Sequence, residues 1–171
     1  MFAFFANLLR LSRASTVAAA AAAPDTAIAF KPGLVEQLQA EHRELVRLYE
    51  ALVAAHTRGD FDASVANLKH FTYALRAHLL KENLHLYVYL KHVLRHDRES
   101  TELMSAMRVE MGKIGRVLND FVTRYTSSPW DQQAREDLQG ELARIAEVLT
   151  LRIRQEEDVL YPMYMHPSRY R

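Results

Sequence analysis

The 171-residue chain contains no cysteine, which excludes disulfide bonds, thiolate metal ligands and cysteine nucleophiles. Its 5 glycines and 5 prolines are few, so it lacks the turn signals that a protein of many strands needs. Neither sign of charge dominates, because 22 lysines and arginines stand against 21 aspartates and glutamates, and no nucleic-acid surface is expected. Alanine, leucine, glutamate and arginine are abundant instead, and this composition favours long α-helices in one domain.

The N-terminal segment differs from the rest of the chain. Residues 1–11 are mostly apolar, Arg10 and Arg13 lie at and just beyond the end of this stretch, and alanines fill positions 18–23. A secretory signal carries its positive charge before the apolar stretch, and here the order is reversed. The stretch is also too short to span a bilayer. We favour an apolar tail that makes weak contact with a membrane or a partner, and a targeting segment stays open as the alternative.

Apolar residues recur at helical spacing from Pro32 onward and predict four helices. The predicted helices cover residues 33–56, 61–94, a third segment around 103–125, and 131–161. Asp60 should cap the second helix, and Asp131 should open the fourth. Residues 97–100 are predicted to form a turn, residues 127–129 to end the third helix, and Pro162 to end or kink the fourth.

Short connections between long helices favour antiparallel neighbours. We therefore predict an all-α fold, an up-down-up-down antiparallel four-helix bundle, over residues 32–166. The flanking residues 1–31 and 167–171 are predicted to be tails. Four tyrosines near equivalent helix ends are expected to seal one end of the bundle: Tyr87, Tyr89, Tyr161 and Tyr164.

Polar side chains interrupt the apolar stripes at five positions. These are His42, His78, Glu82, Arg152 and Glu156. His78 and Glu82 are four residues apart, as are Arg152 and Glu156, so each pair lies on one helix face, one turn apart. Charged groups in a core are costly unless they are paired, and these side chains must therefore meet each other, a metal ion or water.

An internal repeat relates the two halves of the bundle. Residues 78–87 align without gaps on residues 152–161, and residues 41–45 align on residues 110–114. The chain thus contains two similar helical hairpins, each with three interior positions. The first hairpin supplies His42, His78 and Glu82, and the second supplies Met111, Arg152 and Glu156.

The pattern resembles the hemerythrin-like (HHE cation-binding) family over about residues 34–164. The family's acidic residue and histidine on the first helix are matched by Glu41 and His42. Its His-x-x-x-Glu motif on the second helix is matched by His78 and Glu82, and its Glu-Glu-x-x-Leu-Tyr-Pro run is matched by residues 156–162. The resemblance implies a four-helix bundle in which histidines and bridging carboxylates hold two irons that bind oxygen or related small ligands.

Two of the six ligand positions depart from the family pattern. Met111 offers only a soft thioether, and the Arg152 guanidinium cannot donate a lone pair to a metal and repels cations. We favour a metal-free network in which Arg152 replaces a metal ion, pairs with Glu156 and reaches Glu82. Such pairing should lower the pKa values of both carboxyl groups. Two alternatives stay open: one metal ion on the residual set His42, His78, Glu82 and Glu156, or a di-iron site completed by other ligands.

The favoured function is a non-enzymatic regulatory or binding bundle without a cofactor. We expect a protein partner or self-association, no binding of nucleic acid, and a cytoplasmic location. The alternative is an iron-binding sensor or carrier of oxygen, nitric oxide or iron, with iron in the residual site.

Overall fold

The computed structural model describes residues 21–126 and 130–170. It confirms the all-α fold, in which four long helices form an up-down-up-down bundle. The helices are α1 (Leu34–Thr57), α2 (Phe61–Lys81), α3 (Val88–Val93), α4 (Arg98–Thr126) and α5 (Gln132–Gln155). A π-helical stretch, Glu82–Tyr87, joins α2 to α3 in one long helix. A second π-helical stretch, Glu156–Leu160, and a 3₁₀ turn, Tyr161–Met163, continue α5.

Gly33, Asp60 and Asp131 fix where three of the helices begin. Gly33 precedes α1 with φ at 80°, a left-handed conformation that glycine adopts without steric cost. The Asp60 carboxylate accepts a hydrogen bond from the amide of Ala63 at 3.0 Å, and Asp131 accepts one from Ala134 at 2.7 Å. Both aspartates therefore act as the predicted N-caps.

Replacing Asp60 with alanine is expected to lower the free energy of unfolding by about 1 kcal/mol, because the Ala63 amide loses its acceptor. Asp60→Asn is the matched control, since asparagine caps as well as aspartate and removes only the charge. Urea denaturation of the three proteins measures the difference. Equal stability of the alanine and asparagine variants would show that the cap contributes nothing.

The second predicted helix, residues 61–94, is confirmed as one long helix that includes the π-helical stretch after Lys81 and ends at Val93, with Leu94 as its cap. One predicted boundary is wrong. Helix α4 begins at Arg98, within the predicted turn at 97–100, because Asp97 accepts a hydrogen bond from the Ser100 amide as a cap does. The fourth predicted helix is α-helical to Gln155 and π-helical to Leu160, and Pro162 lies in the 3₁₀ turn that ends it, as predicted. The predicted stop at residues 127–129 lies outside the described residues.

The core consists of two apolar clusters with a polar layer between them. One cluster lies toward one end of the bundle, around Leu38, Leu86 and Leu160. The other lies toward the opposite end, around Leu52 and Leu138. The polar residues of the layer are almost fully buried: His42, His78, Glu82, Arg152 and Glu156 are each at most 3% exposed. The bundle therefore places all five predicted polar residues inside it.

The segment just before α1 packs on one end of the bundle. Ala23 is buried, and the Phe30 ring stacks on Tyr164 with centroids 5.0 Å apart. The Lys31 amide donates a hydrogen bond to the Tyr164 hydroxyl at 2.8 Å. The division into tails and bundle stays a prediction, and of the predicted tail or targeting segment, residues 1–31, the first twenty lie outside the described residues. Within the described part of the chain, no helix combines the length and apolar character that a membrane span requires.

Candidate metal centre

The two halves of the site start from equivalent distortions of the helices. Both π-helical stretches begin at the glutamates that the internal repeat aligns, Glu82 and Glu156. A π-helical turn inserts one residue into an α-helix and is frequent at functional sites. Because its repeat is five residues, it brings Tyr87 onto the face of Glu82, and Tyr161 onto that of Glu156. The repeat seen in the sequence is thus a structural repeat around the polar layer.

Each histidine of the site is held by a carboxylate on its outer side. His42 Nδ1 lies 2.8 Å from Glu157 Oε1, and His78 Nδ1 lies 3.1 Å from Glu41 Oε2. An ionised carboxylate only accepts hydrogen bonds, so Nδ1 of each ring carries the proton. Metal-binding histidines are oriented in this way, with the second ring nitrogen donating to a carboxylate.

The other ring nitrogens meet in the middle of the bundle. His42 Nε2 is 3.2 Å from His78 Nε2 and 3.2 Å from Glu156 Oε2. One ligand atom from each of these three residues lies within 4.8 Å of the other two. Glu82, the fourth member of the predicted ligand set, is farther out, with its Oε1 3.9 Å from His78 Nε2. Two imidazole nitrogens and one carboxylate oxygen therefore converge on one point.

Arg152 lies on the other side of Glu156. Its Nε donates to Glu156 Oε1 at 2.7 Å, as the predicted pair within one helix requires. Across the bundle, its Nη2 donates to the Tyr87 hydroxyl at 2.9 Å rather than to Glu82, the partner expected from the sequence. The Glu156 carboxylate consequently bridges a guanidinium and an imidazole, as a bridging carboxylate links two metal ions.

Of the two interior positions 111 and 152 in the second hairpin, position 152 keeps an outer carboxylate and position 111 has none. Glu110, the repeat equivalent of Glu41, places Oε2 3.6 Å from Arg152 Nη1, so the outer acid is kept where arginine replaces histidine. Asn83 is the equivalent of Glu157, and its amide donates to the Leu79 carbonyl of its own helix. Met111 is buried and offers no group for an outer acid to orient. Position 111 thus has no histidine, and position 83 has no glutamate that could orient one.

Four residues of the network were not among the predicted site residues. Tyr161 donates a hydrogen bond to Glu82 at 3.0 Å, and Tyr87 accepts one from Arg152. Their predicted role as end seals is therefore wrong, whereas Tyr89 and Tyr164 do pack together at the end of the bundle. Glu41 and Glu157 hold the two histidines. Each is adjacent in sequence to a predicted ligand, and that adjacency is the signal that could have identified them.

Burial and neighbouring charge set the protonation of the centre. The pKa of His42 is raised, because hydrogen bonds with Glu156 and Glu157 together outweigh the lowering effect of burial. The pKa of His78 is lowered by burial and by the charge of His42. Burial and the Glu156 carboxylate raise the pKa of Glu82 to about 8. The expected lowering of the Glu82 pKa by Arg152 is wrong, since these two effects outweigh the guanidinium.

A cavity that opens to the surface adjoins the converging ligand atoms. Its volume is about 220 Å³, and its inner end is lined by His42, His78, Met111, Arg152 and Glu156. The rest of the wall is mostly apolar. Space beside the site is therefore available to a ligand.

The side chains fit one metal ion and do not fit two. His42, His78 and Glu156 offer three converging ligand atoms, which suit a single transition metal with open positions. The positions that would complete a second site carry Met111 and Arg152, and the Arg152 guanidinium is already bonded to Glu156. A second cation next to that buried positive charge would be repelled.

Comparison with known proteins agrees with this geometry. No curated protein and no solved structure matches the chain significantly. The hemerythrin HHE cation-binding domain matches residues 33–164, which include both hairpins and every residue of the centre. The chain therefore belongs to the hemerythrin HHE cation-binding domain family.

Proposed function

We propose that this protein is a non-enzymatic sensor or carrier that binds one iron(II) ion through His42, His78 and Glu156. The Arg152 guanidinium takes the place of a second ion. The proposal favours the one-ion alternative over the metal-free network preferred from the sequence. The orientation of the two imidazole rings carries this choice.

Both rings use Nδ1 to bind an outer carboxylate, so in their neutral forms both Nε2 atoms present lone pairs. The two Nε2 atoms lie 3.2 Å apart, and His42 Nε2 also lies 3.2 Å from Glu156 Oε2 and 3.2 Å from the Tyr161 hydroxyl, which donates its proton to Glu82. Such a cluster of acceptors is unfavourable unless a proton or a metal cation lies among them. The centre is therefore arranged for a cation.

A ferrous ion held by two imidazoles and one carboxylate keeps coordination positions open for a small ligand such as oxygen or nitric oxide. The Arg152 guanidinium donates a hydrogen bond to the second oxygen of Glu156, so this carboxylate would link the guanidinium to the ion. Glu82, Tyr87 and Tyr161 are bonded to other residues of the network and do not line the cavity. This arrangement favours binding over acid–base catalysis.

We expect about one iron per chain after anaerobic loading with iron(II), measured by elemental analysis on protein without a histidine tag. His78→Ala should lose most of the bound iron, because one of three ligands disappears. His70→Ala is the matched control, since His70 is exposed on the same helix two turns before His78. Iron content equal in the two variants would contradict the proposal, and two irons per chain would contradict the role of Arg152.

A second candidate function is a metal-free regulator that binds another protein or a second copy of itself. The 2.7 Å bond between Arg152 and Glu156 favours it, because the site already contains its own buried cation. A colourless protein that takes up no iron under these conditions would leave this candidate in first place. Its partner would then be sought by comparing the full chain with a variant lacking residues 1–20.

A further inference from the structure

The cavity beside the centre is much larger than a diatomic ligand requires. Its volume is about 220 Å³, whereas an apolar cavity of about 150 Å³ accommodates benzene. Filling it with water alone would leave most waters against apolar walls without hydrogen-bond partners. The cavity therefore has the size for an organic molecule of about one ring.

Apolar side chains from three helices form the walls of the cavity. The side chains that form them are Leu45 and Tyr49 of α1, Phe71, Leu75 and Leu79 of α2, and Leu149 of α5. Exposed lining residues place the mouth between α1 and α5: Val46 and Glu50 on one side and Thr150 on the other. The small side chain of Ala146 helps to leave this gap open.

Charged groups at both ends of the cavity select against a charged occupant. An anion would pass Glu50 at the mouth and come to rest beside the Glu156 carboxylate at the inner end. An organic cation would reach the Glu156 carboxylate only beside the Arg152 guanidinium, which is already bonded to that carboxylate, offsets its charge and is only 2% exposed, so its repulsion is poorly screened. Apolar walls offer neither charge any compensation for lost hydration. An uncharged molecule meets no such cost.

We propose that this cavity is a binding site for one uncharged, ring-sized organic molecule with a single hydrogen-bonding group, of which phenol is the simplest example. The ring packs among Phe71, Leu75 and Leu149. The polar group faces the inner end, where the centre supplies donors and acceptors. The site is formed by the protein alone and does not depend on the proposed iron.

The test uses the full chain and three probes that each contain one benzene ring, namely phenol, benzoate and benzylamine. Isothermal titration calorimetry at neutral pH is run on protein as purified and after removal of metal with a chelator. We expect phenol to bind saturably, one per chain, in both preparations. Benzoate and benzylamine should bind at least about tenfold more weakly, a difference of about 1.4 kcal/mol. Because binding is expected without metal, failure of the iron proposal and failure of this one are distinguishable.

Leu149→Trp fills the cavity and should weaken phenol binding by about tenfold or more. Val148→Trp is the matched control, because Val148 is the preceding residue on α5 and is 44% exposed. Should Leu149→Trp fail to fold, nuclear Overhauser effects between phenol protons and the methyl groups of Leu45 and Leu75 in the unmodified, metal-free chain decide the matter.

Four results would overturn the proposal. One is the absence of saturable phenol binding, and another is equal affinity for the charged probes. The third is equal weakening by the substitutions at positions 148 and 149. Absence of the expected nuclear Overhauser effects to Leu45 and Leu75 at saturating phenol would also place the ligand elsewhere.

Discussion

Arg152→Met is expected to destabilise the metal-free protein by roughly 3 to 5 kcal/mol at neutral pH. The substitution removes the only guanidinium that bonds the buried Glu156 carboxylate within the described residues, and methionine cannot replace that bond. It also leaves the Tyr87 hydroxyl without its donor. An ion pair buried in a core contributes little by itself, but removing one partner strands the other charge in a medium of low polarity. Denaturant unfolding in the presence of a chelator measures the loss.

Two further variants separate this cause from others. Arg154→Met changes an exposed arginine on the same helix and should alter stability by about 0.5 kcal/mol or less. The double variant Arg152→Met with Glu156→Gln removes both charges and should recover much of the loss. A neutral or stabilising effect of Arg152→Met alone would show that Glu156 is not stranded. The account of Arg152 as a replacement for a metal ion would then fail.

Glu82→Gln is expected to stabilise the metal-free protein at alkaline pH by roughly 3 to 5 kcal/mol. Burial and the Glu156 carboxylate raise the pKa of Glu82 to about 8 in the folded state, from an ordinary value near 4.5. Glutamine has nearly the same shape, cannot ionise, and keeps an oxygen to accept the Tyr161 hydrogen bond. The variant therefore removes the titration with little change in packing.

The sign of this effect follows from proton linkage. The folded protein holds the Glu82 proton more tightly than the unfolded chain, so this group contributes stability below pH 4.5 and loses it as pH rises through about 8. His42, Arg152 and Tyr161 partly oppose the shift by favouring the ionised form.

Unfolding free energies of the two proteins should thus coincide at low pH and diverge between pH 4.5 and 9. A constant difference across that range would contradict the raised pKa. The measurement is made on metal-free protein, because a bound cation would favour the ionised carboxylate and reverse the local effect.

The sequence by itself determined the helices and the inward-facing polar residues. Helical periodicity depends only on which residues are apolar. Because His78 and Glu82 lie on the same helix face as the leucines of the apolar stripe, they must face the core with them. Asp60 and Asp131 were identifiable as caps because capping is a local hydrogen bond over three residues. The internal repeat also identified the second hairpin, including the replacement of a histidine by Arg152.

The tertiary structure decided what those residues bond to. The π-helical stretches at Glu82 and Glu156 leave no trace in the apolar pattern, yet they shift the register of everything after them. That shift directs Tyr87 and Tyr161 into the centre instead of the bundle end. The partners of the histidines, Glu157 and Glu41, lie on other helices, so only the packing of α1 against α2 and α5 brings them together.

The charge state of the centre likewise required the folded arrangement. From the sequence alone, Arg152 is expected to pair with both Glu82 and Glu156 and to lower both pKa values, because the sequence gives the charges but not the distances between them. In the bundle the guanidinium bonds Glu156, while Glu82 faces that carboxylate in a buried site and is held closer to neutral. Local rules fix which residues face inward, whereas distances between helices decide which of them share a proton, an ion or a ligand.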